Sequence, residues 1–319
     1  MWSFLGNWLA PGGARGRLLI LMFHRVLPQP DPLFPEDHDA AAFGAQMELL
    51  ARYFRVLPLA EAIPMLVQRR LPARAACITF DDGYADNAEI ALPILRRYGL
   101  PATFFVASGF LDGGRMWNDS VIEAVRRAAG DVLDLSELGF ARYPIADTRQ
   151  KGRAATALVN ALKYREPADR MESVQRVVDR IGAALPQNLM MRAEQVRALH
   201  SAGMEIGGHT VHHPILTAVD AATARAEIAQ GRERLESIIG GRVSLFAYPN
   251  GRPHEDYSTE HARMVEALGF TAAVSTAPGA ARSDSNRFQL PRIAPWVEAP
   301  TRFALRLLRS YRAPPALVA

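Results

Sequence analysis

The chain has 319 residues, 49% hydrophobic and 22% charged, which suits a globular protein with a full apolar core and excludes a disordered or fibrous one. Its 37 basic and 33 acidic residues leave a net charge of +4, and no basic block carries interleaved aromatics, so no nucleic-acid partner is expected. The single cysteine, Cys77, excludes an internal disulfide and a zinc–cysteine site, and reads as a small buried hydrophobe entering a strand.

The first residues lack a basic stretch ahead of their first apolar run. Trp2, Phe4, Leu5, Trp8 and Leu9 either dock on the protein's own surface or dip into a membrane interface. The run LLILMF is far too short to span a bilayer, so it reads as a buried strand over 17–24. The chain is accordingly expected to be cytoplasmic, peripheral at the inner membrane if its termini touch lipid. Further apolar runs predict strands over 53–58, 75–80, 102–107, 204–208, 244–248, 271–275 and 289–294. Amphipathic stretches over 40–52, 87–98, 192–202, 220–239 and 258–268 predict helices between them, with Asn87 as an N-cap and Gly99, Gly203 and Gly269 as stops.

This alternation is a βα repeat, and the length suits one domain over 1–319. The expected fold class is α/β, a distorted (β/α) TIM-like barrel of seven to eight strands. Its rhythm breaks between about 112 and 190, where helical patterns at 118–129, 148–163 and 168–184 appear and no convincing strand does. This reads as a helical insertion, at a place where inserts build or cover an active-site mouth. The tail 301–312 sets Arg302, Arg306 and Arg309 on one helical face and Phe303, Leu307 and Tyr311 on another, to pack on the barrel or to meet a membrane surface.

Three of the eight histidines crowd into GGHTVHHP, residues 207–214. His209 and His213, four apart, can converge on one ion, and a polar turn is the open alternative until a third ligand is found. The strand over 75–80 ends in TFDDG, which puts Asp81 and Asp82 at a C-terminal strand end, where barrel enzymes keep catalytic groups. Adjacent side chains of a strand point differently, so one carboxylate can bind an ion while the other faces a substrate. An N-capping acid followed by a turn residue is the alternative. His38, His200, His254 and His261 are expected at the surface.

TFDDG and HTVHHP in that order, with LPILRRYGLPATFFVASGF between them, resemble the polysaccharide deacetylases with the NodB-homology domain, carbohydrate esterase family 4. The resemblance runs from LLILMFHRV to LPRIAP apart from the insert, and its start looks like the opening strand of the poly-N-acetylglucosamine branch. It implies a metal-dependent deacetylase that hydrolyses the N-acetyl group of an amino sugar in a glycan or glycan precursor and releases acetate. It implies that Asp82, His209 and His213 hold a divalent metal, zinc first, with cobalt, nickel or manganese as alternatives. Asp81 is implied as the general base, and His212 as a spare histidine lining the turn. In LFAYPNG, Tyr248 and Asn250 fall in the motif that binds substrate and supplies an N–H to the oxyanion. Asn250 stands where an aromatic is usual, and Ala247 where an arginine often stands.

Arg292, in QLPRIAP, is therefore the residue expected to orient Asp81. Leu290 is expected to line a pocket for the acetyl methyl. Three residues after it the family often has a histidine, and here Ile293 cannot donate a proton. His24, at the end of LLILMFHRV, is the expected replacement as general acid. The expected partner is an N-acetylated amino-sugar glycan or glycolipid, and a cytoplasmic precursor suits better than a cell-wall polymer. Two other readings stay open: a carbohydrate-binding barrel that has lost catalysis, and an amidase of the same superfamily acting on a small non-sugar amide.

Overall fold

The computed structural model describes residues 7, 9–295, 300–312 and 318–319. The first half of the chain runs β1 (Leu19–Phe23), α1 (Ala40–Tyr53), β2 (Arg55–Val56), α2 (Leu59–Val67), β3 (Ala75–Phe80), α3 (Leu92–Tyr98) and β4 (Thr103–Val106). There follow α4 (Trp117–Arg127), β5 (Val132–Asp134), β6 (Arg142–Pro144), α5 (Thr148–Lys163) and α6 (Pro167–Ile181). The rest comprises α7 (Ala193–Ser201), β7 (Glu205–Gly208), α8 (Ala221–Ile239), β8 (Leu245–Ala247), α9 (Thr259–Ala267), β9 (Ala272–Pro278), β10 (Leu290–Arg292) and α10 (Pro300–Ser310).

Seven parallel strands stand in the order β1-β3-β4-β7-β8-β9-β10, with the two-residue β2 beside β3. Met22 N donates to Ile293 O (3.0 Å) and Ile293 N to Ile20 O (2.9 Å), which joins β10 back to β1. The sheet is thus a nearly closed barrel wrapped by helices, the α/β class that the alternating runs predict.

Alternation along the strands sorts the core into two shells. Leu18, Ile20, Cys77, Phe105, Ala247 and Leu290 fill the interior. Leu19, Leu21, Phe80, Phe104 and Phe246 face outward onto helix residues such as Phe43 and Val265. The Glu205 carboxylate, at the start of β7, accepts from Leu59 N (2.8 Å) and Ala60 N (3.0 Å). This seats α2 at the N-terminal end of the barrel, where its Leu59, Ala62 and Leu66 join the interior cluster. One end is plugged by a helix, and the C-terminal strand ends are left for chemistry.

Several elements depart from expectation. The stretch 112–190 holds an antiparallel β5–β6 hairpin beside its three helices; strands of three residues are too short to show alternation. These elements have a separate core, including Val121, Val125, Leu133, Leu158 and Val177. Arg126 of α4 fastens them to the loop after β1 by a bidentate pair with Asp31 (2.8 and 2.6 Å). Asn87 is not an N-cap: a π-helical turn spans Asn87–Ala91, just ahead of Pro93, which lacks a backbone N–H. Asn87 is fully buried instead, and its Nδ2 donates to the His24 carbonyl (2.8 Å). His38 and His261, expected at the surface, are buried, His38 edge-on against Phe23 with ring centroids 5.1 Å apart.

Phe303, Leu307 and Tyr311 of the tail are buried, and the Tyr311 hydroxyl donates to Ala75 O (2.6 Å), so that face of α10 is spent on the barrel. Trp2, Phe4, Leu5 and Trp8 lie outside the described residues. Among the described residues, no helix is long and apolar enough to cross a membrane.

Candidate metal centre

The site begins where β3 stops. Asp81 N still donates to Phe23 O (2.9 Å), and Asp81 continues the inward face of Cys77 and Thr79. The backbone then turns through Asp82 (φ 75°) and Gly83 (φ 92°), which carries the Asp82 carboxylate to the rim. A side chain at Gly83 would come 2.9 Å from Val106 Cγ1, so the turn accepts only glycine without movement.

The second half of the site follows β7. Thr210 (φ 64°) and His213 (φ 54°) bend the loop, and Thr210 Oγ1 accepts from His213 N (3.0 Å) while donating to His209 O (2.6 Å). Glu227 of α8 holds the outer side: its carboxylate accepts from Val211 N (3.0 Å) and His212 N (2.8 Å) and pairs with His212 Nδ1 (2.8 Å). His212 is therefore pinned away from the other two imidazoles, with 66% of its side chain exposed. Helix α8 comes this close because Gly231 has no side chain; a Cβ there would meet the Thr210 carbonyl group at 2.8 Å. Gly231→Val is accordingly expected to lower stability by about 1–3 kcal/mol, read from urea unfolding. An unchanged midpoint would show that the loop does not need this approach.

Asp82, His209 and His213 offer three ligand atoms that lie within 4.8 Å of one another. Both Nε2 atoms stand 3.4 Å from Asp82 Oδ1. Donors about 2.0–2.1 Å from a tetrahedral ion stand about 3.4 Å apart, so these separations fit such an ion. The His209 Nδ1 contacts Ala247 O at 2.7 Å, and a carbonyl only accepts. Nδ1 therefore carries a proton, and Nε2 is the nitrogen turned to the site. Burial opposes a second proton there, but Asp82 and Asp81 outweigh it and raise the group above its ordinary value. An ion bound at Nε2 would displace that proton. Burial and then the neighbouring His209 push His213 down to about 3, which keeps its imidazole neutral, the ligating form. Burial opposes ionisation of Asp82, but the two histidines outweigh it and hold the carboxyl below its ordinary value. The residues present fit a divalent metal.

Asp81 is 2% exposed and is gripped by Arg292, with Nη1 to Oδ1 at 2.7 Å and Nη2 to Oδ2 at 2.6 Å. Arg292 is itself held inside the barrel, its Nε donating to Ser275 O (2.9 Å) and its Nη1 to Thr79 Oγ1 (3.2 Å). Burial works against the Asp81 carboxylate, and Arg292 more than offsets it, so the group stays ionised below its ordinary value.

Asp81, Asp82, His209 and His213 border one cleft of about 520 Å³, and so do His24 and Asn250. Strand register puts Phe23 opposite Phe80, so His24 stands one step past the same rung as Asp81. Its side chain is exposed. Asn250 (φ 56°) turns its chain at the rim, and its carbonyl accepts from Thr276 Oγ1 (2.8 Å).

Two expected substrate contacts are placed elsewhere. Tyr248 follows the inward Ala247 and therefore points outward; it is fully buried, stacked on Tyr257 with centroids 3.9 Å apart, and donates to Phe288 O (2.8 Å). Leu290 does point inward, but it lies in the barrel interior beneath Arg292, among Leu18 and Val274, and does not border the cleft.

The sequence reading missed a contributor from α4. Asp119 borders the cleft, is 5% exposed, and accepts from the Tyr84 hydroxyl (3.1 Å). Burial pushes it up to about 7, with Arg25 opposing and Asp82 adding to the shift. An acid in the first turn of a helix is ordinary helix chemistry, so no signal marked it.

The family model described as polysaccharide deacetylase matches residues 68–132 and 153–273. It passes through α4, most of α5 and all of α6, so only 133–152 of the region set apart as an insert stands outside it. The Bacillus subtilis protein YxkH, named as a candidate polysaccharide deacetylase, is 23% identical over 279 residues, covering 87% of this chain and 71% of that one. Among solved structures, the Streptococcus pyogenes deacetylase PplD in complex with acetate has a TM-score of 0.62 at 19% identity, over 92% of this chain and 98% of that one. IcaB from Ammonifex degensii has a TM-score of 0.56 at 19% identity, over 95% of this chain and 99% of that one. At such identities the solved structures speak for the fold.

Proposed function

The chain belongs to the polysaccharide deacetylase family, and we propose that it is a metal-dependent deacetylase that removes the N-acetyl group of an amino sugar in a glycan or glycan precursor. One observation carries the reading: a two-histidine, one-aspartate set and a buried Asp81–Arg292 pair meet at the open end of the barrel, in the same cleft.

Asp82, His209 and His213 would hold the ion, and this donor set suits zinc first, with cobalt, nickel or manganese as alternatives. When bound, a divalent ion supplies a Lewis acid that polarises the acetyl carbonyl and makes water more acidic. Asp81 takes the proton of the attacking water as its oxygen bonds to the acetyl carbon. Arg292 fixes the plane of that carboxylate, since both Asp81 oxygens are engaged by its two nitrogens. The Asn250 N–H, at the rim, donates to the oxygen that gains charge. His24 gives a proton to the nitrogen as the C–N bond breaks, so the sugar leaves as a neutral amine and acetate is released.

The test is acetate release by the metal-loaded protein from N-acetylated amino-sugar oligosaccharides and glycolipid precursors. Release from at least one is expected, and binding of these glycans without release would favour a non-catalytic barrel. Metal analysis checks the ligands separately. His209→Ala and His213→Ala are expected to lose the ion, and His212→Ala, whose imidazole is turned to Glu227, to keep it. Loss in the His212 variant alone would overturn the ligand set.

A further inference from the structure

The cleft is bordered by carboxylates, among them Glu36, Asp37 and Glu123, and also by two cations that no carboxylate pairs among the described residues. Arg25 and Arg126 also border the cleft, and both are paired, with Asp86 (2.9 Å) and with Asp31 (2.6 Å). Lys163, at the end of α5, and Arg170, in α6, border it too, beside Asn160 and Trp117. Among the described residues neither cation has a carboxylate within ion-pairing distance.

Arg170 is 6% exposed, a burial that a guanidinium tolerates poorly without a counter-charge. Its Nη1 donates to Lys163 O (3.1 Å), its plane lies over the Trp117 ring at 5.0 Å from the centroid, and its Nε has no hydrogen-bond partner. The acid whose field reaches Arg170 is Glu166, and that carboxylate is already used to cap α6 through Ala168 N (2.9 Å) and Asp169 N (3.1 Å). Lys163 acts at a distance on the buried Asp256, again without an ion pair. Trp117 and the Lys163 carbonyl therefore hold Arg170 in place, while its remaining donors have no anion to meet. A built, desolvated guanidinium with a free donor and a neighbouring ammonium is the arrangement that binds carboxylate or phosphate oxygens.

We propose that Lys163, Arg170 and Asn160 form an anion subsite in the cleft of the metal residues, and that the substrate carries a carboxylate or phosphate group near its N-acetyl sugar. The substrate half of this proposal rests on the deacetylase reading; the ligand half rests on the cleft alone.

The experiment has two arms on the metal-loaded full chain. The first compares acetate release from a neutral N-acetylglucosamine disaccharide, from its 6-phosphate and from N-acetylglucosamine linked to glucuronate. At least one anionic substrate is expected to show a kcat/KM tenfold or more above the neutral one, chiefly through KM. Lys163→Gln and Arg170→Met should each cut that preference about tenfold, and Arg170→Lys should restore part of it. Preference for the phosphate or for the uronate names the source of the anion. The second arm titrates glucose 6-phosphate and glucuronate, which have no acetyl group, by calorimetry. Binding should weaken about tenfold in Lys163→Gln, a half-buried position at the end of a helix that is safer for folding than Arg170. Loss of probe binding with no acetate from any substrate would keep the subsite and sink the deacetylase reading. Acetate release without anion preference, together with probe binding unchanged in both variants, would overturn the subsite.

Discussion

Asp81→Asn is expected to slow acetate release by a factor on the order of 10²–10⁴ while leaving the metal content of the protein unchanged. Asp81 is not among the residues whose ligand atoms converge for an ion, and both of its oxygens face Arg292. Its use is to accept a proton, which a carboxamide does poorly. The substitution also strikes the fold. A neutral carboxamide at this position would leave the Arg292 guanidinium inside the barrel with no counter-charge, facing only Thr79 and the Ser275 carbonyl. Removing one partner of a buried ion pair costs about 3–5 kcal/mol, so the variant should melt at a lower temperature. Activity must therefore be read well below that temperature, with folding followed by circular dichroism. A folded Asp81→Asn enzyme with wild-type turnover would remove the assigned base.

The second large effect is expected at His24. His24→Ala should lower deacetylation by a factor on the order of 10² or more with the metal retained. An amide nitrogen leaves slowly as an anion, and Ile293, where the family often has a histidine, has no proton to give. His24 directly follows β1, the strand paired in register with β3, borders the cleft, and has its backbone held by Asn87. Its backbone stands one strand over from Asp81, and its exposed side chain borders the same cleft, where a substrate amide would meet it. Changing the leaving group checks the role: 4-nitroacetanilide, whose departing aniline needs far less protonation than a sugar amine, should lose much less rate in His24→Ala than the N-acetyl sugar does. Equal losses on both substrates would show that His24 does something other than donate that proton.

Much of this site could be read from the sequence, because metal chemistry leaves dense local marks. His209 and His213 lie four apart after a glycine pair, and Asp81 and Asp82 end an apolar run, so strand and turn geometry alone nearly assemble the set. The Arg292–Asp81 pair was within reach only through family resemblance, since 211 residues separate the partners. Tyr248 and Leu290 failed for a simple reason. A motif fixes which residues occur, whereas the parity of a strand decides which of them face the cleft, and a strand end is uncertain by a residue or two. The β5–β6 hairpin was invisible because three residues per strand show no period. Asp119 and Arg170 looked like helix-surface charges, and only tertiary packing buries them against the cleft.

The central claim is that this barrel cuts an N-acetyl bond with a metal held by Asp82, His209 and His213. The most direct measurement is a metal titration of chelator-stripped protein, following acetate released from an N-acetylated amino-sugar oligosaccharide. Activity should be absent after stripping, rise with added zinc until each chain holds a single ion, and not return in Asp82→Ala at any zinc concentration tested. Full acetate release by the stripped protein, or restoration of Asp82→Ala by the same zinc that restores the wild type, would contradict the claim.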